Sequence, residues 1–309
     1  MSHSILAFFL AFLTLPIVGQ EDLVFHAESR LVVLHTTVVD RSGKLLTDLP
    51  QKAFKVYENN VEQEVRLFRH EDIPISLGLV IDNSASMREK RQKVEAAALQ
   101  LVKASNPQDE VFIINFSDSA FLDCPFTNSI PKLQAGLARI DSRGTTAMRD
   151  AIGMSIDYMK NNAKLDKKIL LVVSDGDDNL SELTLEQIVR QAQQAEVLIY
   201  AIGLLSEEDR SSARKAQKAL DTIAEASGGA AYYPQELAEV DQIALRVAHE
   251  VRNQFTIGYS PSQQTLDGSL RQIRVAVDGP GRPLARTRTG YYATPEPRAK
   301  PPAPKVPAK

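Results

Sequence analysis

Ile75-Ser76-Leu77-Gly78-Leu79-Val80-Ile81 leads directly into Asp82-Asn83-Ser84-Ala85-Ser86. A short, mostly apolar run bounded by a polar loop predicts a strand buried on both faces of a sheet. The loop then sets one carboxylate and two hydroxyls at the sheet's carboxyl edge, where open α/β sheets bind their ligands. All three groups offer oxygen, with no thiolate or imidazole beside them. Hard oxygen donors of this kind suit Mg²⁺, Mn²⁺ or Ca²⁺ rather than zinc.

Downstream, the pattern repeats. Asp109 to Phe116 reads as a strand with Phe121 to Phe126 as its hairpin partner, Lys167 to Val173 as a buried strand running into Ser174-Asp175-Gly176, and Val197 to Leu204 as another. Between them lie helical faces: Val94, Ala97, Ala98, Leu101 and Val102; Ile130, Leu133, Leu137 and Ile140; and Ala147 to Tyr158. Thr184-Leu185-Glu186-Gln187 has the form of a capping box. Ala230 to Tyr233 is a short edge strand and Val240 to Arg252 a last helix, while the charged helix from Glu207 to Ala226 reads as a surface insertion. Apolar runs alternating with amphipathic helices predict an α/β fold with a doubly wound, mostly parallel, Rossmann-like sheet.

Both flanks have β character instead. Leu31 to Asp40, Phe54 to Glu58 and Gln63 to Phe68 precede the α/β unit, with Glu71 to Pro74 as linker; Phe255 to Tyr259 and Arg271 to Val277 follow it. The two sets are expected to build one β-sandwich from both chain ends. The expected organisation is a signal peptide (1–20), an N-terminal β segment (21–74), the α/β domain (75–254), a C-terminal β segment (255–293) and a disordered Pro/Ala/Lys tail (294–309). The apolar stretch Ile5 to Leu13 is too short to span a bilayer and suits a signal-peptide core. The expectation is a secreted or periplasmic protein, with no integral membrane segment after signal removal.

Two further loops complete the oxygen set. Arg143-Gly144-Thr145-Thr146 precedes the helix that contains Asp150, and Asp175 follows its strand much as Asp82 follows its own. With Asp82-Asn83-Ser84-Ala85-Ser86, Gly144-Thr145-Thr146 and Ser174-Asp175-Gly176 in this order, the chain resembles the von Willebrand factor type A family and its metal-ion-dependent adhesion site. It is also similar to exported bacterial members of that family in its flanking β segments and its Gly290-Tyr291-Tyr292 ending. The resemblance implies that Ser84, Ser86 and Thr146 supply hydroxyl ligands, while Asp82 and Asp175 bind directly or through water. The family's usual Gly-Gly-Thr is Gly144-Thr145-Thr146 here, and counting back from Asp150 favours Thr146 over Thr145. Asp150 is either an outer acceptor for the site or an acid favoured by the helix N-terminus. Asp177 and Asp178 read as solvated loop acids.

The implied function is metal-dependent protein binding: a cation held by only two carboxylates keeps a position for an Asp or Glu of a partner protein. Other chemistries lack their residues. A phosphatase of the haloacid dehalogenase type needs a second acid where Ser84 stands, the five histidines show no zinc spacing, and Ser84 lacks a Gly-x-Ser-x-Gly elbow. Ser227-Gly228-Gly229 follows a helix, the reverse of a phosphate loop, and reads as a helix stop. The expectation is therefore not an enzyme. The alternative is an envelope scaffold in which metal and ligand are not essential. A net charge of −3 gives no signal for nucleic acid, and the lone Cys124 excludes an internal disulfide.

Overall fold

The computed structural model describes residues 30–138, 143–176, 178–205, 209–279 and 281–295. The expected signal peptide, the tail beyond 295, Ile140, Asp177 and the start of the charged helix lie outside the described residues.

Among the described residues, fourteen strands and six α-helices follow in chain order. Before the α/β unit come β1 (Val32–Val39), β2 (Phe54–Glu58), β3 (Val61–Gln63) and β4 (Val65–Arg69). The unit itself runs β5 (Ile75–Asp82), α1 (Arg91–Lys103), β6 (Glu110–Phe116), β7 (Ala120–Thr127), α2 (Ile130–Leu137), α3 (Met148–Asn162), β8 (Lys167–Ser174), α4 (Leu185–Ala195), β9 (Val197–Gly203), α5 (Arg210–Ser227), β10 (Ala231–Tyr232) and α6 (Val240–Arg252). Then come β11 (Phe255–Tyr259), β12 (Leu270–Val277), β13 (Leu284–Arg286) and β14 (Gly290–Tyr292).

The six-stranded sheet has the order β10-β9-β8-β5-β6-β7 and is parallel except for β7. Every residue of β5 is buried, which explains its nearly uninterrupted apolar sequence. Leu77, Leu79 and Ile81 face α1, α2 and α6 through Val94, Leu101, Leu133, Leu137, Val247 and Val251. Val80 and its neighbours Phe112, Ile114, Leu170 and Val172 face α3, α4 and α5 through Met148, Ile152, Ile188, Leu220 and Ile223. Helices thus cover both faces, as the alternating pattern predicts. The buried stripe of Ala216, Leu220, Ile223 and Ala224 corrects one expectation: α5 is a layer of the fold and not a surface insertion.

The chain leaves β5 for β6 on one side and later returns to β8 on the other. The strand order therefore reverses at β5, and the crevice beyond the carboxyl ends of β5 and β8 is the topological switch point of the sheet.

Strands from both chain ends form two four-stranded sheets, β13-β1-β11-β4 and β14-β12-β2-β3. Their facing residues share one core, with Leu34, Val38, Ile257 and Tyr259 from one sheet meeting Phe54, Val56, Ile273 and Tyr291 from the other. Buried Glu58 accepts from the hydroxyls of Tyr259 (2.8 Å) and Tyr291 (2.9 Å), tying the sheets together. Asn59 and Asn60 both have positive φ, 48° and 66°, as the tight turn between β2 and β3 requires. The expected strand from Gln63 to Phe68 is divided: β3 pairs with β2, and after Glu64 the chain crosses so that β4 pairs with β11.

This sandwich meets the amino-terminal edge of the parallel sheet. Gln254 donates to Thr37 (3.0 Å) and to the Tyr200 hydroxyl (3.2 Å), and Arg288 donates to Glu196 (2.7 Å) and to the Val33 carbonyl (3.0 Å). Glu250, buried on α6, accepts from Arg286 of β13, Arg246 and Tyr232. The switch-point crevice lies at the opposite end of the sheet.

Candidate metal centre at the sheet switch point

Asp82 ends β5 with its carboxylate fully buried. One oxygen accepts from the Ser84 backbone N–H (2.8 Å), which closes the turn, and the other from the Ser174 hydroxyl at the end of β8 (2.6 Å). Burial is the dominant influence and pushes the Asp82 carboxyl above its ordinary range; the charge of Asp175 adds to this, while the hydrogen bonds from Ser174 and Ser84 oppose it. Such a buried carboxylate favours a cation beside it.

From Ser84 the chain enters a short 3₁₀ turn, Ala85–Met87, anchored by the fully buried Met87. The turn brings the Ser84 and Ser86 hydroxyl oxygens to 3.1 Å of each other, and Ser86 donates to Asp175 (2.8 Å). The Ala85 N–H reaches the Gly144 carbonyl (3.3 Å), so the first loop is stitched to the threonine loop. Gly144 has φ of +77°, a conformation that suits glycine there.

The two threonines part ways. Thr145 is exposed and bonds Asp118 through both its N–H (2.5 Å) and its hydroxyl (2.6 Å). Thr146 is buried beside the Asp175 loop: a Cβ placed on Gly176 would lie 3.6 Å from its hydroxyl oxygen. Backbone and side chain of Asn179 hold Thr146 from that same loop, at 3.2 and 3.3 Å. The strand ends thus gather Asp82, Ser84, Ser86 and Asp175 into one hydrogen-bonded chain, with Thr146 against its far side.

Neighbouring acids do other work. Asp150 accepts from the backbones of Glu182 (3.0 Å) and Leu183 (2.9 Å), so it fastens the loop before α4. The expectation that Asp178 is solvated does not hold: its side chain is 5% exposed and holds Arg149 and Ser181. The capping box forms as read, with Thr184 and Gln187 bonding reciprocally. Gly228, with φ of +94°, ends α5 as the reading of Ser227-Gly228-Gly229 requires.

Two contacts of the site come from side chains to which the sequence reading assigned no role. Ser174 holds Asp82, and Lys90 donates to Asp175 (2.6 Å) and to the Leu204 carbonyl (3.2 Å). Alongside runs a groove of about 600 Å³, with Ser86, Lys90, Leu204, Pro234 and Leu237 among its walls.

Among the described residues no three His, Cys, Asp or Glu side chains gather as a metal cluster. A cation at this edge would therefore rest on two carboxylates and a set of hydroxyls. The donors present fit that role: they are uniformly oxygen, they converge, and among the described residues Asp82 has no cationic hydrogen-bond partner.

An open, doubly wound α/β unit with an oxygen-lined crevice at its switch point defines the class of protein. Residues 77–177 match the model of the von Willebrand factor type A domain family. An uncharacterized protein of Borreliella burgdorferi (strain ATCC 35210 / DSM 4680 / CIP 102532 / B31) is 24% identical over 211 residues, 67% of this chain. The match spans 60% of the length of that relative. Solved structures similar to this one include the PilB minor pilin from Streptococcus sanguinis, at 13% identity and a TM-score of 0.47, covering 59% of this chain and 62% of that one. The vWF domain of the type V pili tip protein Mfa5 from Porphyromonas gingivalis aligns at 13% identity and a TM-score of 0.46, covering 58% of this chain and 97% of that one. Among the described residues, no helix is long and apolar enough to cross a membrane.

Proposed function

We propose that this chain is an exported, non-enzymatic binding module that captures an acidic side chain of a protein partner through a divalent cation, Mg²⁺ or in its place Mn²⁺ or Ca²⁺. The observation that carries this reading is the convergence of Asp82, Ser84, Ser86 and Asp175 from two different strand ends, with Thr146 beside them. Ser84, Ser86 and Thr146 would hold the ion by their hydroxyls, and Asp82 and Asp175 would balance its charge. A cation so held supplies a Lewis-acidic position for a carboxylate, since only two protein charges neutralise it.

Each residue has a task in this reading. Asp82 and Ser174 fix the floor of the site, and the Met87 anchor fixes the serine turn. Ser86, the exposed member, marks the face that a partner approaches, and the groove beside it offers the aliphatic walls of Leu204 and Leu237 to the partner's neighbouring residues. The sandwich, attached at the other end, leaves this face free. Export rests on the apolar run of residues 5–13.

Titration calorimetry of Mg²⁺ and Mn²⁺ into the wild type and an Asp82→Ala/Ser84→Ala variant tests the proposal. One saturable site present only in the wild type is expected. No heat of binding in the folded wild type would overturn it. One observation favours the alternative of a scaffold that needs no metal: Lys90 already gives Asp175 a cationic partner. That reading requires full stability, and partner binding unaffected by a chelator.

A further inference from the structure

We propose that Lys90 sets the charge of this site, weakening its hold on the cation while strengthening its hold on a partner's carboxylate. The inference rests on the metal-dependent reading above.

Lys90 immediately precedes α1, and its backbone N–H is held by the Met87 carbonyl (2.9 Å), so its stem starts from the same turn that carries Ser84 and Ser86. Its ammonium reaches Asp175 Oδ2 at 2.6 Å, while Asp175 Oδ1 accepts from Ser86 at 2.8 Å. One carboxylate is thereby shared between the serine turn and a tethered positive charge. The Asp175 side chain is 1% exposed and that of Lys90 is 29% exposed, so the lysine stands on the open side of the pair. An ammonium has three donors. Asp175 and the Leu204 carbonyl take two, and the third has no protein acceptor among the described residues. Lys90 also lines the groove that Ser86 borders. Arg91, the next residue, is directed elsewhere, to Asn115 (2.6 Å) and the Leu137 carbonyl (3.2 Å).

The charge count gives the consequence. Asp82 and Asp175 contribute two negative charges, and the lysine bound to Asp175 returns one. With a dication the group carries a net positive charge, where without Lys90 it would be neutral. An incoming carboxylate then meets both the cation and the spare N–H of the lysine. The same positive charge repels the dication, by an amount worth about tenfold in affinity for charges a few ångströms apart at a wet protein edge.

A purely structural role predicts the opposite sign. If Lys90 only braced the Asp175 loop, its removal would loosen the ligands and weaken the ion's binding. We would therefore measure Mn²⁺ affinity by electron paramagnetic resonance of the free ion, in the wild type, Lys90→Gln and Lys90→Arg, with circular dichroism as the check on folding. The expected result is about tenfold tighter binding in Lys90→Gln and wild-type affinity in Lys90→Arg. Equal or weaker binding in Lys90→Gln, with the wild type binding normally, overturns this inference alone. Binding by none of the three proteins overturns the metal-site reading and this inference together. Lys90→Met, which keeps the aliphatic stem, serves if Lys90→Gln does not fold. A variant that folds only with Mn²⁺ supports the proposal if it then holds the ion more tightly than the wild type, and one that Mn²⁺ does not rescue, or that binds it no tighter, counts against it.

Discussion

Replacing Glu250 with Gln should loosen the junction between sandwich and α/β unit without touching the crevice at the far end. The Glu250 side chain is 3% exposed, and its two oxygens serve three donors from three elements: Tyr232 on β10, Arg246 on α6 and Arg286 on β13. An amide of the same shape keeps one accepting oxygen and, in either orientation, turns its NH₂ toward an arginine, which can only donate. Removing one member of a buried ion pair costs about 3–5 kcal/mol where the other charge is stranded. Arg286 and Arg246 are 29% and 48% exposed and can rehydrate, which brings the expected loss to about 2–3 kcal/mol. For a chain of this size that is a fall in Tm of roughly 3–6 °C. Differential scanning calorimetry of wild type, Glu250→Gln, Arg286→Met and the double variant would read both the loss and the coupling between the two positions. Mn²⁺ affinity should be unchanged in all four. A Tm within about 1 °C of wild type for Glu250→Gln, or additive effects in the cycle, would refute the reasoning.

Gly78 lies in β5 where an added Cβ would come within 2.4 Å of Leu170 and of Phe112. Gly78→Ala should therefore cost about 1–3 kcal/mol in urea unfolding, and stability unchanged in that variant would show that those side chains move aside freely. Stability should also fall on acidification. His35 is held down to about 3 by burial, with help from the charges of Lys167 and Arg288, so between pH 6.5 and 3 only the unfolded chain takes up its proton. Buried Lys167, held down to about 7 mainly by burial and also by Arg252, acts in the same sense from the ordinary lysine value of about 10.5 down to 7. Each contributes up to about 1.4 kcal/mol per pH unit across its window, in favour of the folded state as pH rises. Urea unfolding at a series of pH values should show His35→Gln flattening the acid limb. An unaltered limb in that variant would assign the acid loss to other groups.

Much of the α/β unit was legible because burial on both faces forces long apolar runs. Ile75 to Ile81 and Val197 to Gly203 contain little else, and local signals such as Thr184 to Gln187 mark where a helix begins. Asp82, Ser84 and Ser86 were legible because an acid and two serines directly follow such a run. What escaped depends on contacts far apart in sequence. Alternation continues unbroken from Gln63 to Phe68, so nothing local reveals that β3 and β4 belong to different sheets. Nothing local in Arg88-Glu89-Lys90-Arg91 reveals that Arg91 is fully buried or that Lys90 reaches Asp175, 85 residues away. Asp178 looked solvated for the same reason, because its charged partner Arg149 lies 29 residues away in sequence.

Proton relaxation of water on the Mn²⁺-loaded protein tests most directly the claim that the site offers a cation to a carboxylate. The account predicts that Mn²⁺ bound to the wild type enhances relaxation, and that acetate, but not neutral acetamide, lowers the enhancement by displacing coordinated water. Enhancement unmoved by acetate while the ion stays bound would contradict it, and would leave a metal site that captures no acid.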